Sequence, residues 1–224
     1  MERVGVYFAP PASNLLSRTG AAWLGRDAET NAPHTQPALA DIAAITEDAR
    51  LYGFHATLKP PMRLAAGCSW DEVVRNITAM AARVAPFDLP PLTVTDLHGF
   101  LALRETAPCP ALQALADLCV AELDHLRAPP SASDLARRRK SPLTPPQDAL
   151  LQRWGYPYVF GEWFFHMTLT RRLSTEEHAI WRPAVETFFA EALRHPQRVT
   201  EICLFTQTAP NAAFTIAERI KLRG

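Results

Sequence analysis

Val4, Val6 and Phe8 alternate with Arg3, Gly5 and Tyr7, the two-residue period of a half-buried strand, and Pro10-Pro11 ends it. Farther along, the period lengthens. Ser69-Trp-Asp-Glu72 is an S-x-x-E capping box, and after it Val73, Val74, Ile77, Met80, Ala81 and Val84 recur at helical spacing. A second S-x-x-E, Ser174-Thr-Glu-Glu177, precedes Ile180, Trp181, Val185, Phe188, Phe189, Ala192 and Leu193 on one helical face, with Pro183 expected to kink or split that helix. Each helix is followed by two strand-like runs, 92–97 and 100–104 in the first half and 199–208 and 214–222 in the second. Residues 111–126 read as a helix with Leu112, Leu115, Leu118, Cys119 and Leu123 along one side. Residues 127–146, with Pro129-Pro130, the basic run Arg137–Lys140 and Pro145-Pro146, read as a flexible connection.

The two helices are preceded by the same short phrase, FHATL at 54–58 and FHMTL at 165–169. With seven histidines in the chain, roughly one His-x-Ser/Thr arises by chance. The shared Phe before and Leu after make the pair far rarer than that. The order strand, helix, strand, strand therefore occurs twice, over about residues 50–105 and 160–222. This predicts an α+β class: one two-lobed domain over 1–224, duplicated, with antiparallel sheets around a central cleft. The two His-x-Thr strands would be related by a pseudo-twofold axis.

Strand alternation puts His55, Thr57 and Lys59 on one face, and His166, Thr168 and Thr170 on the corresponding face of the second copy. Two imidazoles facing across a cleft can divide the work of in-line displacement at phosphorus. A neutral ring accepts a proton from water while a protonated ring donates to the leaving oxygen, and an ordinary imidazole pKa of about 6.5 permits both. Thr57 and Thr168 would donate hydrogen bonds to the non-bridging oxygens, and Lys59 would add a point charge. Tyr7, Tyr52, Arg26, Arg171 and Arg172 are further candidates for the cleft. Tyr7 alternates away from the apolar Val6 and Phe8, whereas Arg171 follows the second motif on the opposite strand face. The arrangement requires no metal ligand and no organic cofactor.

Composition narrows the partners. The formal net charge is zero at a pI near 7.1, so no bulk field draws the chain to nucleic acid or a membrane, and anion binding must be local. The four cysteines have no CxxC or zinc-type spacing and the N-terminus reads as a strand rather than a leader, which fits a reduced, cytoplasmic setting. No apolar run approaches the length of about 20 residues that spans a bilayer. The basic run 137–140 is short and lacks interleaved aromatics, so it reads as a solvated loop rather than an RNA grip.

His55-Ala-Thr57 and His166-Met-Thr168 resemble the paired His-x-Thr/Ser signature of the two-histidine phosphoesterase superfamily. RVGVYFAPP at 3–11, WLGRDA at 23–28 and YGFHATLKPP at 52–61 are similar to a bacterial branch associated with phosphonate metabolism. The resemblance implies a duplicated bilobal fold and metal-independent hydrolysis of cyclic phosphodiesters, or RNA-end ligation and hydrolysis, by His55 and His166. The expected substrate is a small cyclic ribose phosphate or nucleotide. Processing of RNA 2′,3′-cyclic ends, and a non-catalytic module that binds a phosphate ligand, are the alternatives.

Overall fold

The computed structural model describes residues 3–224. Its chain order is β1 (Arg3–Phe8), α1 (Leu15–Leu24), α2 (Ile42–Ile45), α3 (Glu47–Tyr52), β2 (Ala56–Met62), α4 (Trp70–Ala81), β3 (Phe87–Asp88), β4 (Leu92–Leu97), β5 (Phe100–Glu105) and α5 (Pro110–Glu122). It continues through α6 (Ala132–Arg138), α7 (Pro145–Trp154), β6 (Met167–Thr168), α8 (Thr175–Leu193), β7 (Arg198–Val199), β8 (Glu201–Gln207) and β9 (Thr215–Lys221). The class is α+β with antiparallel pairing throughout, as the alternation predicts.

Seven strands form one sheet in the order β4-β5-β6-β2-β1-β8-β9, and β3 pairs with β7 in a small second sheet. The two repeats interleave. The β4–β5 hairpin of the first repeat lies beside β6, the motif strand of the second. The β8–β9 hairpin of the second lies beyond β1, next to β2, the motif strand of the first. The helices cross over likewise, α4 packing on β9 and α8 on β4. β3–β7 joins the copies through Phe87 opposite Val199 and an Asp88–Arg198 ion pair at 2.8 Å.

Burial explains why these segments hold. Val4, Val6 and Phe8 of β1, Leu58 of β2, Leu101 and Leu103 of β5, and Met167 and Leu169 around β6 turn inward onto Val73 and Ile77 of α4, Leu115 and Cys119 of α5, and Val185 and Phe189 of α8. Each large apolar side chain so covered contributes about 1.5–3 kcal/mol. Trp23 of α1 sits among Trp181, Phe188 and Phe189, and its indole donates to the Leu169 carbonyl at 3.0 Å, fixing the chain just past the second motif.

Both capped helices start where the capping boxes place them, with Ser69 accepting from Glu72 N–H and Ser174 forming a reciprocal box with Glu177. Two expectations change. Pro183 lies inside a continuous α8 and so does not split it; Trp181, Val185 and Phe189 stay buried on both sides of it and hold the helix through the missing N–H. Segment 127–146 carries α6 and the first two residues of α7: Ser131 and Asp134 make a full capping box, as do Thr144 and Gln147, and these caps outweigh the prolines around them.

Candidate active site

The register of the central strands builds the site. Ala56 of β2 pairs antiparallel with Met167 of β6, and both turn into the core. Their neighbours therefore share the other face, with His55 across from Thr168 and Thr57 across from His166. Opposed residues on one face of an antiparallel pair have Cβ atoms about 4.5–5.5 Å apart, so the two imidazoles stand on a diagonal with a hydroxyl beside each. The row extends outward on both sides. Leu103 pairs with Met167, which brings Arg104 beside His166, and Tyr7 of β1 pairs with Thr57.

Each ring is held in the same way. His55 Nδ1 lies 2.9 Å from the Gly53 carbonyl and His166 Nδ1 lies 3.2 Å from the Phe164 carbonyl, two residues back in both cases. A carbonyl only accepts, so Nδ1 carries the hydrogen and Nε2 presents its lone pair. At His55 that Nε2 is 3.2 Å from Thr57 Oγ, which donates to it. Gly53 makes its half possible: its φ is +80°, a region that side chains rarely adopt, and a Cβ there would lie 2.6 Å from that of Ala28.

The surroundings set the proton affinities. Burial pushes His55 down to about 4, the Gly53 carbonyl opposes the shift, and the charges of His166 and Arg26 add to it. His166 is also lowered by burial, opposed by the Phe164 carbonyl and assisted by Arg104. The Tyr7 ring stacks on His55 with centroids 4.0 Å apart, and Phe205 packs against both rings. Phe164 and Phe100 pack against His166. Arg104 rests over Phe164 at 5.2 Å and has a buried Nε with no hydrogen-bond partner. Trp163 bridges the motifs, its indole donating to the Thr57 carbonyl at 2.8 Å.

A family model described as "Protein of unknown function (DUF1045)" matches residues 57–215, most of the chain, taking in Thr57 of the first motif and the whole of the second. The chain belongs to the DUF1045 family. It is 36% identical over 233 residues to ribose 1,5-bisphosphate phosphokinase PhnN of Janthinobacterium sp. (strain Marseille), covering 100% of this chain and 51% of the relative. The protein of the same name from Laribacter hongkongensis (strain HLHK9) is 36% identical over 224 residues, covering 98% and 52%. The chain thus spans about half the length of these curated relatives. Among solved structures, E. coli LigT complexed with 3′-AMP superposes with a TM-score of 0.45 at 15% identity, covering 100% of this chain and 99% of that one. LigT complexed with phosphate gives 0.45 at 14%, covering 100% and 98%. Likeness at that distance transfers no residue's role.

In this DUF1045 chain His55, Thr57, His166, Thr168 and Tyr7 share one face, and the Tyr52 ring lies 6.1 Å from that of His55. The other candidates lie elsewhere. Lys59 is 2% exposed, donates to the Val120 carbonyl of α5 at 3.2 Å and pairs with Asp124 at 3.6 Å. The cause is a register shift: Tyr7 pairs with Thr57 but Val6 pairs with Lys59, so one extra residue on β2 rotates Lys59 onto the core side with Val6. Arg171 forms a two-pronged pair with Glu177 at 2.7 and 3.0 Å and braces the first turn of α8. Arg26 is likewise structural, donating to the Arg50 carbonyl and to Asn31, and Arg172 donates to the His98 carbonyl. Thr170 accepts from Leu101 N–H at 2.9 Å. Arg104, Phe164 and Trp163 escaped the sequence reading. Arg104 had a faint signal, since Phe100, Ala102 and Arg104 alternate with the core-facing Leu101 and Leu103. Among the described residues, no three His, Cys, Asp or Glu side chains gather as a metal would need, and no helix is long and apolar enough to cross a membrane.

Proposed function

We propose that this chain is a metal-independent cyclic phosphodiesterase acting on a small cyclic ribose phosphate or nucleotide. The observation that carries the reading is the paired presentation of His55 and His166 Nε2 on neighbouring strands, each ring fixed through Nδ1 by a backbone carbonyl. Opening the ring requires one proton removed and one supplied. His55, whose proton affinity is depressed to about 4, is neutral at pH 7 and takes a proton from the attacking water. As the water oxygen bonds to phosphorus and the ring P–O bond breaks, protonated His166 gives its proton to the departing alkoxide. The anionic substrate raises the affinity of His166 for that proton, offsetting burial and Arg104. With substrate bound, Thr57 turns its hydroxyl from His55 Nε2, which the attacking water now meets, to a non-bridging oxygen; Thr168 donates to the same phosphoryl group, and Arg104 stabilises the charge that gathers there.

The curated relatives support the substrate class. Hydrolysis of a cyclic phosphodiester on a phosphorylated ribose releases a ribose bisphosphate, and those relatives are named for phosphorylating ribose 1,5-bisphosphate. This chain carries no G-x-x-x-x-G-K-S/T loop for cradling ATP phosphates, so the kinase half of that name is not assigned to it. The reading is consistent with a role in phosphonate metabolism in the cytoplasm.

A screen of nucleoside cyclic phosphates and cyclic ribose phosphates in EDTA tests it. Turnover that survives chelation and disappears in His55→Ala and His166→Ala is expected. Preference for oligonucleotides with 2′,3′-cyclic ends would move the assignment to RNA-end processing, and binding without turnover would make the site a phosphate-ligand module.

A further inference from the structure

Near His55 lies a pocket of about 370 Å³, lined by Arg3, Tyr52, Arg137, Arg138, Ser141, Pro157 and Tyr158 and by no acidic residue. Arginines around it are neutralised one by one: Arg137 bonds Asp134 at 3.1 Å, Arg139 bonds Asp148 at 2.7 Å, and Arg127 and Arg153 share Asp124. Arg3 and Arg138 differ. Arg3 donates Nε to Gln207 at 2.8 Å and lies over Phe214, Arg138 lies over Tyr156 at 4.6 Å, and among the described residues neither meets a carboxylate. Two guanidinium groups, oriented by rings and an amide, keep their remaining donors for something else.

A buried hydroxyl belongs to the same neighbourhood. Tyr7 is 0% exposed and its hydroxyl has no hydrogen-bond partner. Its ring folds back over Gly5, where a Cβ would lie 2.7 Å from that hydroxyl, so the phenol points along β1 toward Arg3. The other face of the ring's reach is His55, stacked at 4.0 Å. Tyr52 lines the pocket and also lies 6.1 Å from His55. One aromatic ring thus separates the arginine pocket from the imidazole.

We propose that this pocket is a second anion subsite that takes the terminal phosphomonoester of a substrate whose cyclic phosphodiester sits between His55 and His166. This rests on the cyclic phosphodiesterase reading and names its substrate class: a ring diester that bears another phosphate on the same sugar. Arg138 and Arg3 bind the phosphomonoester through charge-assisted hydrogen bonds, and α6 and the stretch before Tyr158 roof it.

Calorimetric titration with ribose 5-phosphate, which lacks the diester, tests the subsite apart from catalysis. Arg138→Ala and Arg3→Ala should each weaken binding on the order of 10- to 100-fold. Arg138→Lys, which keeps the charge without the planar fork, should fall between, and His166→Ala should retain most of the binding. Binding that persists in both arginine variants, or that is lost in His166→Ala, would overturn the proposal. Circular dichroism verifies that each variant is folded, and having two arginine variants guards against the misfolding of one. A kinetic arm compares a nucleoside 2′,3′-cyclic phosphate with and without a 5′-phosphate. The wild type should prefer the 5′-phosphorylated form and Arg138→Ala should lose that preference. Equal turnover of both by the wild type would sink the subsite. Turnover of neither would instead sink the phosphodiesterase reading, leaving the titration to decide the pocket.

Discussion

The two His-x-Thr copies have the same backbone device and different company. His55 leads into β2, seven residues long with a strand on either side, and is enclosed by Tyr7, Phe205 and Tyr52. His166 leads into β6, two residues long, and meets Phe164, Phe100 and the cation of Arg104. What breaks the symmetry is β1, which lies outside both repeats and inserts Tyr7 next to His55. The second copy has no such insert, and β5 with Arg104 takes the equivalent edge. A duplicated motif supplies two like rings, and the strands outside it give each a different set of neighbours: burial lowers both proton affinities, with Arg26 adding to the effect at His55 and Arg104 at His166.

The most severe way to break this comparison is to remove the reagents. His55→Ala and His166→Ala should each lower kcat by about 10²- to 10⁴-fold, and the double variant should lose less than the product of the single losses, since the pair acts as a unit. Steady-state kinetics on the substrate found in the screen is the check, and full activity in either variant would end the pairing. Next comes the cation beside only one ring. Arg104→Ala should reduce kcat about tenfold through lost stabilisation of transition-state charge. It should also raise the His166 pKa, because a positive neighbour disfavours imidazolium; the alkaline limb of the pH–rate profile would then move to higher pH. An unmoved limb would detach Arg104 from His166.

The depressed proton affinities also make stability depend on pH, in the same direction for both rings. Unfolded His55 takes up a proton near pH 6.5, whereas in the fold it resists until about 4. The unfolded state therefore binds more protons between those values. The stability that depends on neutral His55 is complete above about pH 6.5 and is lost as pH falls toward 4. Thermal melts of wild type and His55→Gln across that window should diverge, with the flatter profile in the variant. The smallest effect is expected at Tyr7→Phe. Its hydroxyl has no partner, so the melting temperature should hold or rise slightly, while ribose 5-phosphate binds more weakly. A large drop in melting temperature would mean that the hydroxyl is bonded in the folded protein.

Periodicity alone exposed β1, β4, β5, α4, α5 and α8, because their apolar faces repeat and their caps are local signals. It missed α1, where Gly20 interrupts the helix pattern in order to admit Phe54, whose ring a Cβ there would meet at 2.2 Å. It passed over α6 because the prolines on either side resembled a loop. Within the site, the two motifs and Tyr7 were legible from alternation. Lys59 was misplaced by a bulge that only strand pairing reveals, and Arg104 joins His166 through the β5–β6 register, a relation between residues more than 60 apart in sequence. Strand order is nonlocal, and no window along the chain contains it.

The position of β1 also has a history in time. It is hydrogen-bonded on one side to β2 and on the other to β8, with Arg3 opposite Gln207. On a ribosome adding about 5–20 residues per second, β1 waits on the order of 10–40 s for β8 to be made. Throughout that interval the edge that will meet β8 stands open, and for most of it β6 has yet to fill the gap between β5 and β2. This part of the nascent chain is therefore most exposed to sticking, and most in need of a chaperone, until β8 emerges.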